Sequence, residues 1–215
     1  MPDFSILLRN AQAQSIVYLI GDHGEAEAVA ALLRDVPCLL AAVPCEDWNR
    51  DLSPWPAPPV FRNEGFAGEG EAFLRRLTEE TVPACEAWLR AEGFEVPPVR
   101  VLCGYSLAGL FSLWAAVRSP LFQRAASVSG SLWFDGFVPW LEEQPRLPER
   151  VYLSIGDREE RTRNERMKRG RACMEETHRL LLARGVGSTC RVVPGDHFHD
   201  VPQRIANGIR TIAVL

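Results

Sequence analysis

The sequence predicts an α/β fold, a mostly parallel central sheet with helices on both faces, and three observations carry that prediction. Short β-branched or aliphatic runs alternate along the chain with longer segments of helical period, the pattern of strands joined by crossover helices. Residues 107–117 are apolar nearly all round, so a helix there must be buried against a sheet and its neighbours. The chain has 215 residues, 47% hydrophobic and 24% charged, enough to bury the core of one ordinary globular domain spanning 1–215.

In chain order, residues 4–8 read as an edge strand, followed by strands at 16–20 and 38–43. Residues 70–91 place Phe73, Leu74, Leu77, Ala84, Cys85, Trp88 and Leu89 on one helical face, with Gly93 as a C-terminal cap and Pro83 predicting a kink. Strand 99–103 leads into the buried helix 107–117, which Ser119-Pro120 ends. Strands 125–129 and 151–155 follow, then a polar helix at 165–184 that turns Met167, Met174, Leu180 and Leu181 to the core and stops at Gly185. A last strand at 189–193 and a last helix at 201–212 complete the series. One stretch resists this scheme: 47–70 holds Pro54, Pro56, Pro58 and Pro59 with Trp48, Trp55, Phe61 and Phe66, and reads as a long loop over or near a functional site.

The bulk chemistry excludes several classes. A net charge of -4 supplies no positive field for phosphates, so nucleic acid is not expected as a partner. No run of about 18 apolar residues occurs, so no membrane span is expected. Met1-Pro2-Asp3 puts an acid where an export signal carries positive charge. The cysteines Cys38, Cys45, Cys85, Cys103, Cys173 and Cys190 form no C-x-x-C pair, which suits buried thiols in a reducing cytoplasm.

The chemistry concentrates at Gly104-Tyr105-Ser106-Leu107-Ala108-Gly109. A serine hydroxyl is a weak nucleophile and must be presented on a sharp strand-to-helix turn beside a base and backbone N–H donors. Small residues are needed two before and two after the serine because strand and helix nearly touch there; Gly104 and Ala108 supply them, giving Gly-x-Ser-x-Ala in place of Gly-x-Ser-x-Gly. Such a pattern arises by accident in roughly one chain in ten of this size. The strand before it, the buried helix after it and the partners downstream distinguish this instance from an ordinary capped turn.

In an α/β-hydrolase fold the order is nucleophile, acid, histidine. His23 precedes the serine and His178 lies in a polar helix, leaving His197 and His199 after the last strand. His197 is nearer the strand end and is favoured, with His199 as the alternative. The acid must follow strand 151–155; a Gly-x-x-acid spacing from Gly156 selects Glu159, with Asp157 second and Glu160 third. Its role is to hold the imidazole tautomer. The Leu107 N–H, with one from His23 or Gly24 in the turn after the first main strand, is expected to form the oxyanion hole. Asp196, His197, His199 and Asp200 could be read as metal ligands, but no further cluster completes a site, and no metal or cofactor is expected.

Through Gly104-Tyr105-Ser106-Leu107-Ala108-Gly109, Ser129-Gly130-Ser131-Leu132-Trp133, Gly156-Asp157-Arg158-Glu159 and Gly195-Asp196-His197-Phe198, the chain resembles the putative-esterase family that includes S-formylglutathione hydrolase and enterochelin esterases. That resemblance implies an α/β-hydrolase fold with little or no lid domain, ester hydrolysis through Ser106 and His197, the acid at Glu159, and a pocket lined by the Trp133 segment. Tyr105 and Trp48 are added as pocket residues, and Trp48, Trp55, Trp133 and Trp140 could share one aromatic pocket. Arg158 to Arg171 carry seven basic residues whose interleaved Glu159, Glu160 and Glu165 favour a salt-bridged face over an anion site. The expected activity is therefore that of a serine esterase acting on a small-molecule carboxylic or thio ester, with an acyltransferase or a non-catalytic binding module of the same fold as alternatives.

Overall fold

The computed structural model describes residues 4–60 and 65–214. The N-terminal acid Asp3 and the loop aromatic Phe61 lie outside them. Seven strands form one sheet: β1 (Ser5–Leu8), β2 (Ser15–Ile20), β3 (Cys38–Val43), β4 (Val99–Tyr105), β5 (Arg124–Val128), β6 (Arg150–Gly156) and β7 (Gly187–Val193), in the order β1-β3-β2-β4-β5-β6-β7. All neighbours are parallel except β1, which runs antiparallel to β3 at the edge. Every strand expected from the sequence is present.

The helices are α1 (His23–Leu32), α2 (Trp48–Asp51), α3 (Gly70–Arg76), α4 (Val82–Ala91), α5 (Leu107–Arg118), α6 (Phe137–Glu142), α7 (Gly170–Ala183) and α8 (Val201–Ile212). Successive strand residues point to opposite sheet faces, so the core divides in two. Ile16, Tyr18, Leu102 and Leu153 pack with α3 to α7 on one face. On the other, Val17, Leu19, Val101 and Tyr152 pack with α1 and α8. None of the helices among the described residues is long and apolar enough to cross a membrane.

Five elements depart from the sequence reading, one of them α6, which was not expected. The helix predicted over 70–91 is interrupted by a π-helical turn at Leu77–Thr81. Pro83 has no N–H for the carbonyl four residues back, and the wider turn absorbs that loss. It also rotates the helix that follows: α4 buries Val82, Cys85, Glu86 and Leu89, and Ala84 faces solvent. The helix expected from 165 begins at Gly170, because the Asn164 carboxamide oxygen accepts from the N–H groups of Arg166 and Met167 at 3.0 and 3.2 Å and holds a separate turn. α1 was not expected, although Asp22 caps it through Gly24 N and Glu25 N. The 47–70 stretch is not loop throughout: Asp47 caps α2, and Ala57 and Phe66 pair as a β-bridge. Ser53 joins its two ends, donating to the Asn49 carbonyl at 2.6 Å and accepting from Gly68 N at 2.8 Å.

Candidate active site

The site forms at the carboxyl ends of the parallel strands, where open α/β sheets bind ligands. β4 ends at Tyr105, and Ser106 turns the chain into α5 with φ 56° and ψ -120°, a conformation that an L-residue adopts only when the surroundings enforce it. Enforcement comes from both sides. Ser106 N donates to the Val128 carbonyl at 3.0 Å, and its own carbonyl accepts from Gly109, Leu110 and Ser131. A Cβ on Gly104 would lie 2.5 Å from the Ala108 carbonyl carbon and oxygen, which is why residue 104 has no side chain.

Three side chains meet across the sheet. His197 Nε2 lies 3.0 Å from Ser106 Oγ, and His197 Nδ1 lies 2.7 Å from Glu159 Oε2. Of the three acids after β6, Glu159 is the one His197 touches. Asp157 instead accepts from Gly195 N at 2.9 Å, tying the turn after β6 to the turn carrying His197. Gly156 permits this closeness, since a Cβ there would sit 2.3 Å from the Gly195 carbonyl oxygen. His199 turns away, half exposed and 3.1 Å from Asp200. Among the described residues, no group of three His, Cys, Asp or Glu is arranged to hold a metal.

Glu159 Oε1 accepts three hydrogen bonds: from Gly156 N at 2.6 Å, Ser129 Oγ at 2.8 Å and Arg204 Nη1 at 3.0 Å. Burial by itself would raise this carboxyl. The hydrogen bond and charge of His197, with the donors Gly156 and Ser129, outweigh burial and hold it below the ordinary carboxylate range. Arg204, only 4% exposed, also donates to Tyr105 Oη at 3.0 Å, Ser129 Oγ at 3.2 Å and the Pro194 carbonyl at 2.8 Å. Sequence reasoning missed the contacts of Arg204 and Ser129: Arg204 belongs to no local motif, and the Ser129-Gly130-Ser131-Leu132-Trp133 segment was read for Trp133 and not for its first serine. A left-handed φ of 45° at Ser129, in the Ser129-Gly130-Ser131 segment, is the structural sign of its constraint.

Two cavities flank Ser106. One, of about 310 Å³, is lined by Trp133, Ile155, Met167, Gly170, His197 and Phe198 beside Ser106 and Glu159. The other, of about 500 Å³, is lined by Glu46, Asp47, Trp48, Asn49 and Leu107 beside Ser106, and shares Trp133 with the first. Trp133 and Trp48 thus lie where a pocket was expected. Tyr105 does not: its hydroxyl donates to the His197 carbonyl at 2.8 Å, and its ring lies 5.3 Å from the imidazole. Its side chain leaves β4 on the face away from both cavities, as strand alternation dictates. Trp55 and Trp140 are not pocket residues either; their rings pack against each other in a tilted arrangement 5.9 Å apart, and Trp55 Nε1 donates to the Asp135 carbonyl.

The expected oxyanion donors are placed differently from one another. Leu107 N–H, at the first position of α5, has no intrahelical partner and borders the larger cavity. Gly24 N–H is taken by Asp22 Oδ1 at 2.8 Å, which removes it as a donor; capping leaves the His23 N–H at that turn. The basic stretch behaves mainly as a salt-bridged surface. Arg166 pairs with Asp135 at 2.8 Å and lies over the Trp133 ring, Arg171 pairs with Glu175, and Lys168 with Glu165.

This sheet, with a serine at a strained strand-to-helix turn, defines a protein of the α/β-hydrolase fold. The putative-esterase family model matches residues 11–201, and the chain belongs to that family. Among solved structures, an IroE-like serine hydrolase from Shewanella oneidensis is similar with TM-score 0.78 and 19% identity, covering 97% of this chain and 73% of that one. Siderophore hydrolase EstA from Aspergillus nidulans gives 0.70 at 22% identity, with coverage of 94% and 83%. The enterobactin esterase FES from Shigella flexneri gives 0.68 at 17% identity over 97% of this chain, which spans about half of that protein, 53%. Likeness at these identities is likeness of fold. No curated protein sequence matches the chain.

Proposed function

We propose that the chain is a serine esterase that cleaves small-molecule carboxylic esters through an acyl-enzyme on Ser106. The single observation that carries this reading is the hydrogen-bonded series from Ser106 Oγ to His197 Nε2 and from His197 Nδ1 to Glu159. His197 takes the Ser106 proton as Oγ attacks the ester carbonyl, and Glu159 fixes the tautomer and stabilises the imidazolium. The N–H groups of Leu107 and His23 stabilise the tetrahedral oxyanion. His197 then passes its proton to the departing alcohol, and water, deprotonated by the same imidazole, releases the acid. The thiols are poor competitors as nucleophiles: burial pushes Cys38 and Cys85 up to about 12. All six cysteines are free thiols, which supports placement in a reducing compartment such as the cytoplasm.

A fluorophosphonate probe tests the reading directly. Its mass is expected on Ser106 of the folded wild-type protein and absent from Ser106→Ala. A folded wild-type protein that stays unlabelled, and that cleaves p-nitrophenyl acetate no faster than Ser106→Ala, would overturn it.

A further inference from the structure

The two cavities differ in chemistry and in which reacting group they contain. His197 lines the smaller cavity, with Trp133, Ile155, Met167 and Phe198 as its apolar walls. Leu107 lines the larger one, where Glu46, Asp47, Trp48 and Asn49 also lie and where no basic residue occurs among the described residues. Among the described residues, the Glu46 and Asp47 side chains have no cationic partner within salt-bridge distance; the nearby Arg50 is engaged by Asp51 at 2.7 Å.

Resting on the esterase reading above, we infer that the cavities divide the substrate between them. The apolar cavity takes the alcohol portion as an aryl or branched alkyl group, and the acidic cavity takes the acyl portion, favouring one that carries a positive charge. The chemistry of acyl transfer fixes the assignment. The bond that forms is Ser106 Oγ to the carbonyl carbon, and the bond that breaks is carbonyl carbon to alcohol oxygen. The proton leaves Oγ for His197 Nε2 and goes on to that alcohol oxygen, so the alcohol must lie on the His197 side. The carbonyl oxygen turns toward the Leu107 N–H, and the acyl substituent, opposite the leaving oxygen, enters the cavity that Leu107 borders. Trp133, common to both linings, is the partition.

Size and charge test the two halves separately. A Cβ on Gly170 would stand 3.1 Å from Ile155 Cδ1 and 3.5 Å from Trp133 Cδ1, inside the smaller cavity. Gly170→Ala is therefore expected to lower kcat/KM for 1-naphthyl acetate relative to phenyl acetate by about tenfold, the scale of one methyl group in a fitted pocket. The ratio between phenyl 3-phenylpropanoate and phenyl acetate is expected to hold. For p-nitrophenyl esters, an acyl chain ending in trimethylammonium is expected to be preferred over one ending in carboxylate by about three- to tenfold at low salt, the scale of charges facing each other near solvent. The preference is expected to shrink with added salt and to vanish in Glu46→Gln/Asp47→Asn, where Asn preserves the helix cap.

A size penalty falling on the acyl series, a preference for the carboxylate ester, or an ammonium preference that survives the double substitution would each overturn the assignment. Fluorophosphonate labelling of the wild type separates the two levels. Labelling with reversed selectivity removes only this inference, whereas no labelling removes the esterase reading and this one with it.

Discussion

Arg204 Nη1 donates to Glu159 Oε1 at 3.0 Å, on the carboxylate oxygen opposite the one that meets His197. The same guanidinium group reaches Tyr105, whose hydroxyl holds the His197 backbone, and Pro194, which begins the turn on which His197 stands. One buried cation thus orients the acid, the histidine and the strand end next to the serine.

Removing that cation should loosen geometry without removing a reacting group. Arg204→Met is expected to lower kcat by about 10- to 100-fold, the cost of a small misplacement at a reacting centre, with KM little changed. Arg204→Lys, which keeps the charge but reaches fewer of the four acceptors, is expected to recover part of the loss. Steady-state kinetics on p-nitrophenyl esters, with circular dichroism to check folding, would decide it; equal activity in Arg204→Met and wild type would remove the positioning role.

The three acids after β6 should separate sharply. Glu159→Gln is expected to cost about 10³- to 10⁴-fold in kcat, the size of effect that follows loss of the orienting carboxylate in a serine triad. Asp157→Asn keeps an acceptor for Gly195 N and should stay within a few-fold of wild type, as should Glu160→Gln. A collapse in Asp157→Asn comparable to that in Glu159→Gln would contradict the assignment.

Strain at residue 106 has a thermodynamic signature. Ser106→Ala and Ser106→Gly both lose the hydroxyl, but only glycine relaxes at φ 56° and ψ -120°. Strain of this kind is worth about 1–3 kcal/mol, more than the roughly 0.4–1 kcal/mol that glycine forfeits through a freer unfolded chain. Ser106→Gly is therefore expected to melt above Ser106→Ala, both inactive. A lower Tm for the glycine variant in calorimetry would show that the turn is not strained.

Glu159 also links stability to pH. Its carboxyl is held below its unfolded value, so the folded state binds the proton less readily than the unfolded chain does. The resulting stabilisation is fully present above the unfolded glutamate pKa of about 4.3 and is lost as pH falls through the lower folded value. Thermal melts of wild type and Glu159→Gln from pH 7 down to 3 should converge at the acid end. An unchanged gap across that range would count against a charged Glu159.

The sheet was legible in the sequence because buried strands and a wholly buried helix leave strong local patterns, as at 99–105 and α5. Ser106, His197 and Glu159 were legible because each stands one short turn beyond such a strand. Tyr105 was misplaced for a reason of geometry: it is adjacent to Ser106 in sequence, and strand alternation sends its side chain to the opposite face. The helical face of α4 shifted because a π turn changes phase, which a fixed 3.6-residue period cannot express. Arg204 left no signal at all; its partners Glu159, Ser129 and Tyr105 lie 45, 75 and 99 residues away. Asp22 with Glu25 did mark the start of α1, and the short alanine-rich segment that follows concealed it.

α8 seals the second face of the sheet together with α1. Arg124 donates to the carbonyls of Ile212 and Val214, and Ser15 to that of Ala213 at 2.8 Å, so β2 and β5 are both tied to the end of α8 and the residues that follow it. Residues 5–193 hold all seven strands of the sheet, yet neither the imidazole nor the guanidinium that steadies it. A sheet formed by that stretch alone would present Ser106 at its turn with no base beside it, so an intact sheet is not by itself a finished site.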